Sequence, residues 1–385
     1  MPDKTITARR LLTDSAVVDY PVITFADDGT IAEISSDPKA LAQQVDTLAA
    51  AFLDVHTHGA MGHDVMSASS AQLGEMQRFL ADHGVAHYLP TTATTSIDAT
   101  LHALEALADA IEAEPREGEA RPVGIHLEGP FLSHAKRGVH PAQELHLPSI
   151  ELFDRFHQAA RGRIALMTLA PELPGALDLI RHAISLGARV SLGHSNALAA
   201  ETLAAIDAGA ISATHTFNAM RALDHREPGI LGIALDDDRL FAEIICDGIH
   251  VAPPLVRLWL KAKGLDRAIL VTDAMSATGM PDGEYRLAGL SVQVANGRAL
   301  LSSHLAQGKQ TLAGSVLTLD YGVANLQRFT GASLAHAARM ASQNPAAMLG
   351  RPELTRIHAG DAANLNRFDA ASRLTATYIR GQQIR

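Results

Sequence analysis

The sequence predicts an α/β protein: a (β/α)8 barrel of TIM type with a small β-sandwich domain formed by the N- and C-terminal segments. Three observations support this prediction. After residue 52, eight short apolar runs alternate with stretches of helical periodicity, which is typical of βα units around a parallel sheet. Most of these runs end in a side chain that can bind a metal ion or move a proton. Short alternating segments bounded by turn residues lie near both ends of the chain.

The apolar runs are the predicted barrel strands: Phe52–His58, Val85–Thr91, Val123–Gly129, Ile164–Pro171, Arg189–Ser195, Ser212–Asn218, Phe241–Gly248 and Ala268–Ala274. Six stretches between them have helical apolar spacing: Ala71–Asp82, Asp98–Ala113, Ile150–Ala160, Pro174–Leu186, Ala197–Ala208 and Pro253–Lys263. An open doubly wound sheet is the alternative. It is disfavoured because no Gly-x-Gly-x-x-Gly motif follows the first run.

The domain organisation follows from where the βα rhythm begins and ends. Residues 52–350 are expected to form the barrel, close to the roughly 250-residue norm of this fold with insertions. Residues 1–51 and 351–385 contain the short β-like segments. We expect these two segments to join in one small β domain.

An insertion and two helices are predicted after the eighth run. Alternating residues in a Gly-containing region predict a β-hairpin near 282–310. Leu312–Ser315 is then expected to open a helix that reaches about Phe329, with Ser315 as its N-cap. Another helix is expected over Ser333–Ser342.

The composition restricts the possible partners. The 385 residues carry a formal net charge of −10, so the chain lacks the basic stripe of a nucleic-acid-binding protein, although a small anion needs only one or two cations. Cys246 is the single cysteine, which fits a reducing compartment. The sequence shows no signal-peptide pattern and no run long enough to span a bilayer. These features predict a cytoplasmic enzyme without a nucleic-acid or membrane partner.

The polar residues that follow the predicted strands form a candidate metal site. His56 and His58 point to the same side because side chains alternate along a strand. With 19 histidines in the chain, one His-x-His pair is weak support. Parallel barrel strands, however, all end at one mouth. Further candidate ligands follow other strands at that mouth: Glu128, His194, His215, His250 and Asp273.

Six of these residues, which are His56, His58, Glu128, His194, His215 and Asp273, supply nitrogen and oxygen but no thiolate. Such a set favours Zn²⁺ and also suits Fe²⁺, Mn²⁺ or Co²⁺, with one or two ions per subunit. A bound ion lowers the pKa of water to about 7 and polarises a carbonyl, which makes hydrolysis feasible. Asp273 is the natural general base. Taken singly, His194 fits a core histidine and Asp273 fits an N-cap, but the joint pattern favours a metal site.

Six motifs extend this pattern in chain order: Phe52–Gly59, Gly124–Phe131, Gly193–Asn196, Thr214–Met220, Asp247–His250 and Val271–Ala274. The first motif, together with the terminal sheet, resembles the amidohydrolase superfamily. The His-Leu-Glu-Gly-Pro and His-Thr-Phe-Asn-Ala-Met motifs are similar to those of its N-acetylglucosamine-6-phosphate deacetylase family. This resemblance covers essentially the whole chain.

The resemblance implies a reaction and a ligand set. The reaction would be metal-dependent hydrolysis of the acetamide of N-acetyl-D-glucosamine 6-phosphate to D-glucosamine 6-phosphate and acetate, in amino-sugar catabolism and cell-wall sugar recycling. Glu128, His194 and His215 would hold the metal ion found throughout the family. His56 and His58 match the variant that can hold a second ion, with Glu128 between the two.

The resemblance also implies substrate contacts and a homodimer. His140 would contact the substrate and polarise the acetyl carbonyl. Arg226 and His250 would bind the phosphate, with Arg226 contributed across the dimer interface. The other implied substrate contacts are Val139, Asn218, Ala219, Leu312, Ala313 and Gly314. The 133–137 loop has no chemical match, and the roles of His63, His134 and His304 stay open.

Three alternative functions stay open. One is another amidohydrolase, such as a cyclic amidase or a base deaminase. Many of those bridge their metals with a carboxylated lysine, and no predicted strand here ends in lysine. The second is N-acetylgalactosamine-6-phosphate deacetylation. The third is a non-catalytic phosphosugar-binding protein, against which the presence of Asp273 argues.

Overall fold

The structure is a computed structural model that describes residues 5–39 and 43–385. It contains the predicted barrel of eight parallel strands: β1 (Phe52–Thr57), β2 (Val85–Thr92), β3 (Ile125–Glu128), β4 (Ile164–Leu169), β5 (Arg189–Leu192), β6 (Ser212–Ala213), β7 (Phe241–Ile245) and β8 (Ala268–Val271). Neighbours in this order pair through parallel ladders from β1 to β8. A parallel bridge between Thr57 and Ala274 joins the first strand to the residues after the last. The barrel is therefore nearly closed.

The helices agree with the sequence prediction except between β6 and β7. Those between the strands are α1 (Ser70–Asp82), α2 (Ile97–Glu112), α3 (Ile150–Ala159), α4 (Ala176–Ser185), α5 (Ala199–Asp207), α6 (Gly229–Asp236) and α7 (Pro253–Arg267). Helix α6 was not predicted, because its eight residues include two glycines and its apolar residues do not form a clear stripe.

Strand β3 shows how the barrel selects which side chains face its interior. Ile125 and Leu127 join the apolar cluster that includes Leu104 and Leu107 of α2. The alternate residues, His126 and Glu128, make polar contacts with groups from other strands. Side-chain alternation therefore directs apolar residues toward the helices and polar residues toward the interior.

The terminal segments form the predicted β-sandwich. One sheet has the antiparallel strands Thr5–Thr7, Pro21–Phe25 and Ile31–Ser36. The other contains Arg10–Leu12, Val17–Asp19, Thr47–Ala50, Leu365–Phe368, Leu374–Ile379 and Gln382–Gln383. A separate apolar cluster joins them, including Leu11, Ile23, Leu48 and Leu365, all fully buried. Both ends of the chain therefore share one core.

The insertion after β8 is larger than the predicted hairpin. It has three antiparallel strands, Gly283–Leu287, Leu290–Ala295 and Arg298–Leu301, followed by the short helix α8 (Ser302–Leu305). The third strand was missed because Arg298–Leu301 has only four residues, Arg-Ala-Leu-Leu, too few to show a clear alternation of apolar and polar residues.

The expected helix start at Leu312–Ser315 is wrong. Helix α9 begins later, over Leu319–Thr330, and is followed by α10 (Leu334–Met340) and α11 (Gln343–Leu349). Ser315 instead forms a parallel bridge with Ala274. Its hydroxyl donates to the Thr272 carbonyl at 2.6 Å, so Ser315 extends the barrel wall rather than capping a helix.

In the residues that the structure describes, no helix combines the length and the apolar character needed to cross a membrane.

Candidate metal centre

Six predicted ligands meet at the carboxyl end of the barrel. His56 lies in β1, His58 just after it, and Glu128 ends β3. His194, His215 and Asp273 each lie two residues past the end of β5, β6 and β8. All six side chains are buried. The parallel strands therefore bring groups from five of their ends into one polar cluster.

Glu128, His194 and His215 form the first ligand group. The Glu128 Oε1 atom lies 3.3 Å from His194 Nε2 and 3.2 Å from His215 Nε2. The two imidazole Nε2 atoms are 3.1 Å apart. Each residue thus offers one donor atom to a common point.

His56, His58 and Asp273 form the second ligand group. The Asp273 Oδ1 atom lies 3.1 Å from His58 Nε2 and 3.5 Å from His56 Nε2. The second Glu128 oxygen, Oε2, lies 3.3 Å from His58 Nε2. The Oε1 atom faces both histidines of the first group and also lies 3.5 Å from His56 Nε2. Glu128 therefore stands between the two groups, in a position that suits a bridging ligand.

The hydrogen bonds of the histidines fit metal binding. His194 Nδ1 donates to the Lys136 carbonyl at 3.0 Å, and His58 Nδ1 donates to the Thr91 carbonyl at 2.9 Å. In a neutral imidazole, a proton on Nδ1 leaves a lone pair on Nε2. Those lone pairs face carboxylate oxygens, which is unfavourable without a cation between them. The 3.1 Å separation in the first group is close to the roughly 3.3 Å between ligands of a tetrahedral zinc ion.

The electrostatics of the second group favour positive charge. Burial disfavours protonation of His58, but Asp273 and Glu128 outweigh it and raise the pKa of His58 to about 9. Burial likewise acts to lower the pKa of His56, but the negative charges of Glu128 and Asp273 outweigh this effect and raise the pKa well above its ordinary value. Burial alone would raise the pKa of Asp273, but the two histidines lower it. A divalent cation would supply the positive charge that these carboxylates stabilise.

Several ligands lie on strained backbone. The φ angles are +46° at His194, +29° at His215 and +50° at Asp273. Non-glycine residues rarely adopt this region, and such strain concentrates at functional sites. The strand ends are therefore bent where they present their donor atoms.

His140 lies beside the cluster with a defined tautomer. The Thr94 backbone N–H donates to His140 Nδ1 at 3.3 Å, so the proton lies on Nε2. That Nε2 is 3.7 Å from Glu128 Oε2. Burial and the neighbouring His194 lower the pKa of His140 to about 3, which keeps it neutral near pH 7. His140 can therefore donate a hydrogen bond toward the ligand groups.

Most of the other implied substrate contacts lie in loops that border the mouth. The Asn218 amide donates to the His215 carbonyl at 3.2 Å, and the Ala219 carbonyl accepts from the Ser195 N–H at 3.0 Å. Val139 packs against the apolar cluster of the insertion. His250 Nδ1 donates to Asp247 Oδ2 at 2.6 Å.

The Leu312–Gly314 segment reaches Asp273. Leu312 forms an antiparallel bridge with Leu300 of the insertion, and the buried Ala313 donates its N–H to the Ala299 carbonyl. At Gly314 φ is +63°, and a Cβ would lie 3.1 Å from the Asp273 carbonyl oxygen. Glycine is therefore needed at this close approach.

Arg226 is not brought to the ligand groups within one chain. It lies on the exposed loop between Met220 and α6, and its backbone N–H donates to the Asp224 side chain at 2.8 Å. His63 and His304 pair locally instead, with Glu75 at 2.8 Å and Thr311 at 2.8 Å. His134 is exposed in a 3₁₀ turn.

Two buried carboxylates of the site were missed by sequence reasoning. Asp54 accepts from the Thr272 hydroxyl at 2.5 Å and from the His56 N–H at 3.2 Å, which ties β1 to the end of β8. Glu243 in β7 accepts from the His215 N–H at 3.3 Å. Each interrupts an apolar run, and this was the only available signal.

Comparisons with known proteins identify the family of the chain. The amidohydrolase family model matches residues 47–384. The chain belongs to the amidohydrolase family. This amidohydrolase is 37% identical to N-acetylgalactosamine-6-phosphate deacetylase of Escherichia coli O157:H7, over 97% of each chain. It is also 37% identical to N-acetylglucosamine-6-phosphate deacetylase of Bacillus subtilis, over 84% of this chain and 82% of that one.

A solved structure is similar over nearly the whole amidohydrolase chain. It is a variant of N-acetyl-D-glucosamine-6-phosphate deacetylase from Mycobacterium smegmatis in complex with N-acetyl-D-glucosamine 6-phosphate. The TM-score is 0.90 at 32% identity, covering 99% of this chain and 98% of that one. The barrel and the terminal sandwich are thus shared with a solved deacetylase.

Proposed function

We propose that this chain hydrolyses the acetamide of N-acetyl-D-glucosamine 6-phosphate to D-glucosamine 6-phosphate and acetate. The observation that carries the proposal is the Glu128 carboxylate, which lies between two groups of buried histidines at the barrel mouth and is within 3.5 Å of all four. This arrangement suits metal-assisted hydrolysis, and relatives of similar length are named for this reaction.

The proposed metal ligands are the two groups described above. Glu128, His194 and His215 would hold one ion, and His56, His58 and Asp273 the other, with Glu128 shared. The nitrogen and oxygen donors favour zinc, while iron, manganese and cobalt fit the same donors. A bound divalent ion would make water nucleophilic at neutral pH and polarise the acetyl carbonyl.

Asp273 is the proposed proton carrier. It would accept the proton from the attacking water and return it to the leaving nitrogen, which must depart as an amine. Its carboxylate is held at the mouth by the backbone: the Asp273 N–H donates to the His56 carbonyl at 2.9 Å. The low pKa of Asp273 keeps it ionised and ready to accept.

His140 is the proposed donor to the acetyl oxygen. Its neutral ring carries the proton on Nε2, on the side that faces Glu128. As water adds to the carbonyl, negative charge develops on that oxygen, and a preplaced N–H stabilises it.

The phosphate of the substrate would be bound by residues from two chains of a homodimer. His250 would donate from its Nε2, since its Nδ1 proton is engaged by Asp247. Arg226 would provide a bidentate donor from the partner subunit of a homodimer, because it lies on an exposed loop of its own chain. Val139, Asn218, Ala219, Leu312, Ala313 and Gly314 would contact the sugar.

We assign catalysis to residues 52–350 and a supporting role to the small domain of 1–51 and 351–385. We also propose a cytoplasmic location, because a charged sugar phosphate does not cross a lipid bilayer unaided. The single buried cysteine suits a reducing compartment.

The galactosamine epimer is the second candidate substrate. It is favoured by the relative from Escherichia coli O157:H7, an N-acetylgalactosamine-6-phosphate deacetylase that is 37% identical over 97% of this chain. The test is acetate release from both 6-phosphates by the zinc-loaded enzyme. A higher kcat/KM for the glucosamine epimer supports our proposal, and a higher value for the galactosamine epimer replaces it. Release of ammonia from a nitrogen heterocycle, with no acetate release, would favour the cyclic amidase or deaminase alternative.

A further inference from the structure

Glu243 is a fully buried carboxylate that the proposed reaction does not use. It lies in the middle of β7, between the apolar residues Ala242 and Ile244. Its Oε1 atom has no hydrogen-bond partner among residues 5–39 and 43–385. Burial of a carboxylate with an unsatisfied oxygen is unfavourable, so its retention calls for a physical reason.

The Glu243 carboxylate faces the far side of a proposed ligand. Its Oε2 atom lies 3.6 Å from His56 Nδ1. The opposite ring atom, His56 Nε2, faces Glu128 and Asp273. Glu243 is therefore separated from the ligand groups by the width of one imidazole, which places it outside the direct ligand set.

His56 needs an acceptor at this position. If Nε2 binds a metal ion, the ring proton must be on Nδ1. For His58, that role belongs to the Thr91 carbonyl. For His56, no described atom is within hydrogen-bond distance of Nδ1. Glu243 Oε2 is the carboxylate oxygen that faces it, a few tenths of an ångström beyond a hydrogen bond.

Glu243 also contacts the first ligand group. The same Oε2 atom accepts from the His215 backbone N–H at 3.3 Å. This N–H belongs to a residue with a φ of +29°, an uncommon conformation for a non-glycine residue. One carboxylate thus touches a residue from each of the two groups.

We propose that Glu243 is a positioning residue that holds His56 in the Nδ1–H tautomer and so controls occupancy of the second metal site. This inference rests on the proposed two-ion centre. Carboxylate partners of ligating histidines are known to set metal affinity, with losses of about 10- to 100-fold when they are removed.

The test is zinc binding to chelator-stripped protein, followed by calorimetry and by metal analysis after dialysis. Wild type is expected to bind two ions. Glu243→Gln keeps the volume but removes the charge, and we expect about 10- to 100-fold weaker binding of one ion with the other little changed. Glu243→Asp withdraws the carboxylate from the ring and should give a smaller loss of the same kind. It serves as the second variant should the glutamine variant not fold.

The controls separate positioning from general damage to the barrel. Ser212→Ala removes a buried, unpartnered hydroxyl from the adjacent strand β6, and both zinc affinities should stay unchanged. In a His56→Gln background, Glu243→Gln should cause no further loss, because the ring that it positions is absent.

Three results would overturn the inference: wild-type affinity for both ions in Glu243→Gln, an equal loss of both ions, or a further loss in the His56→Gln background. A wild-type protein that binds only one ion would also overturn it. Zinc binding as expected but with no acetate release would overturn the proposed function alone.

Discussion

The barrel mouth and the terminal sandwich both bury their side chains, but those at the mouth are polar and those in the sandwich are mostly apolar. At the mouth, carboxylate and imidazole atoms face one another at 3.1–3.5 Å, and φ is positive at three of the six residues: His194, His215 and Asp273. In the sandwich, the apolar cluster consists mainly of leucine, isoleucine and alanine, with Phe25 and Tyr378. Apolar burial stabilises a fold directly, whereas clustered polar groups require a cation or partner. The comparison predicts that the mouth depends on a bound cation, whereas the sandwich depends on apolar packing.

The largest expected effect is on catalysis at the mouth. Asp273→Asn should lower kcat by roughly 10³-fold, because the amide cannot accept the proton from water, within the usual range for a general base. Steady-state acetate release measures it. The matched control is Asp361→Asn, since Asp361 is a buried carboxylate paired with Arg356 at 2.6 Å outside the mouth. Near-wild-type kcat in Asp273→Asn would remove this residue from proton transfer.

Removal of metal should destabilise the protein because the free energy of zinc binding at the mouth is lost. At a free zinc concentration about 1,000 times Kd, binding contributes about 4 kcal/mol to the free energy of unfolding. A strong chelator should therefore lower Tm in the wild type. Glu128→Gln should lose most of this shift, since it removes the carboxylate that both groups share. An equal chelator effect in that variant would contradict the proposed bridging position.

A cavity in the sandwich should lower stability without lowering activity or zinc content. Leu365→Ala removes a fully buried side chain and should lower the free energy of unfolding by about 2–5 kcal/mol. Below the unfolding transition, kcat and zinc content should match the wild type. Denaturant unfolding measures the expected loss of stability, and acetate release measures the expected unchanged kcat. A large fall in kcat of the folded variant would show that the two regions are coupled.

Arg226 tests whether the mouth is completed by a second chain. Arg226→Ala should raise KM about 10-fold for the phosphorylated sugar, because one charge-assisted pair is lost. KM for N-acetylglucosamine itself should stay unchanged. Mixing Arg226→Ala with Asp273→Asn should restore a wild-type KM in the hybrid dimers, each of which carries one intact site. No recovery on mixing would place Arg226 in the site of its own chain.

The smallest effect concerns His87, below the mouth in β2. Burial, with Arg351 and Arg121 nearby, lowers the pKa of His87 to about 4. The unfolded chain therefore takes up a proton near pH 6.5 while the folded protein does not, so stability falls as pH drops from about 6.5 to 4. His87→Gln should reduce the loss between pH 7 and pH 5 by about 1–2 kcal/mol. Unfolding at both pH values tests this, and an unchanged loss would exclude His87 as a source.

The elements that the sequence predicted well have strong local signals. All eight barrel strands lie within or next to their apolar runs, and the predicted end of α7 at Lys263 precedes Gly264, whose φ of +69° interrupts the helix. The six candidate ligands were named because histidines and carboxylates followed strands, which must end at one mouth in this fold, and the structure brings these six side chains together.

The elements that were missed depend on distant partners. Ser315 had the composition of an N-cap, yet pairing with Ala274 determined its structure. Helix α6 has weak periodicity and is stabilised by packing on the barrel, where Ile230 and Ala234 are fully buried. Glu243 was hidden in an apolar strand because its meaning depends on His56, far away in the chain.

The sequence by itself determined the fold class, the order of the strands and the identity of the donor atoms, since hydrophobic periodicity and residue chemistry are local properties. Only the tertiary structure decided that the Glu128 carboxylate lies between two histidine groups, that His140 carries its proton on Nε2, and that Glu243 lies behind His56. Those facts depend on angles and distances between strands, and barrel closure sets them when all the strands pack together.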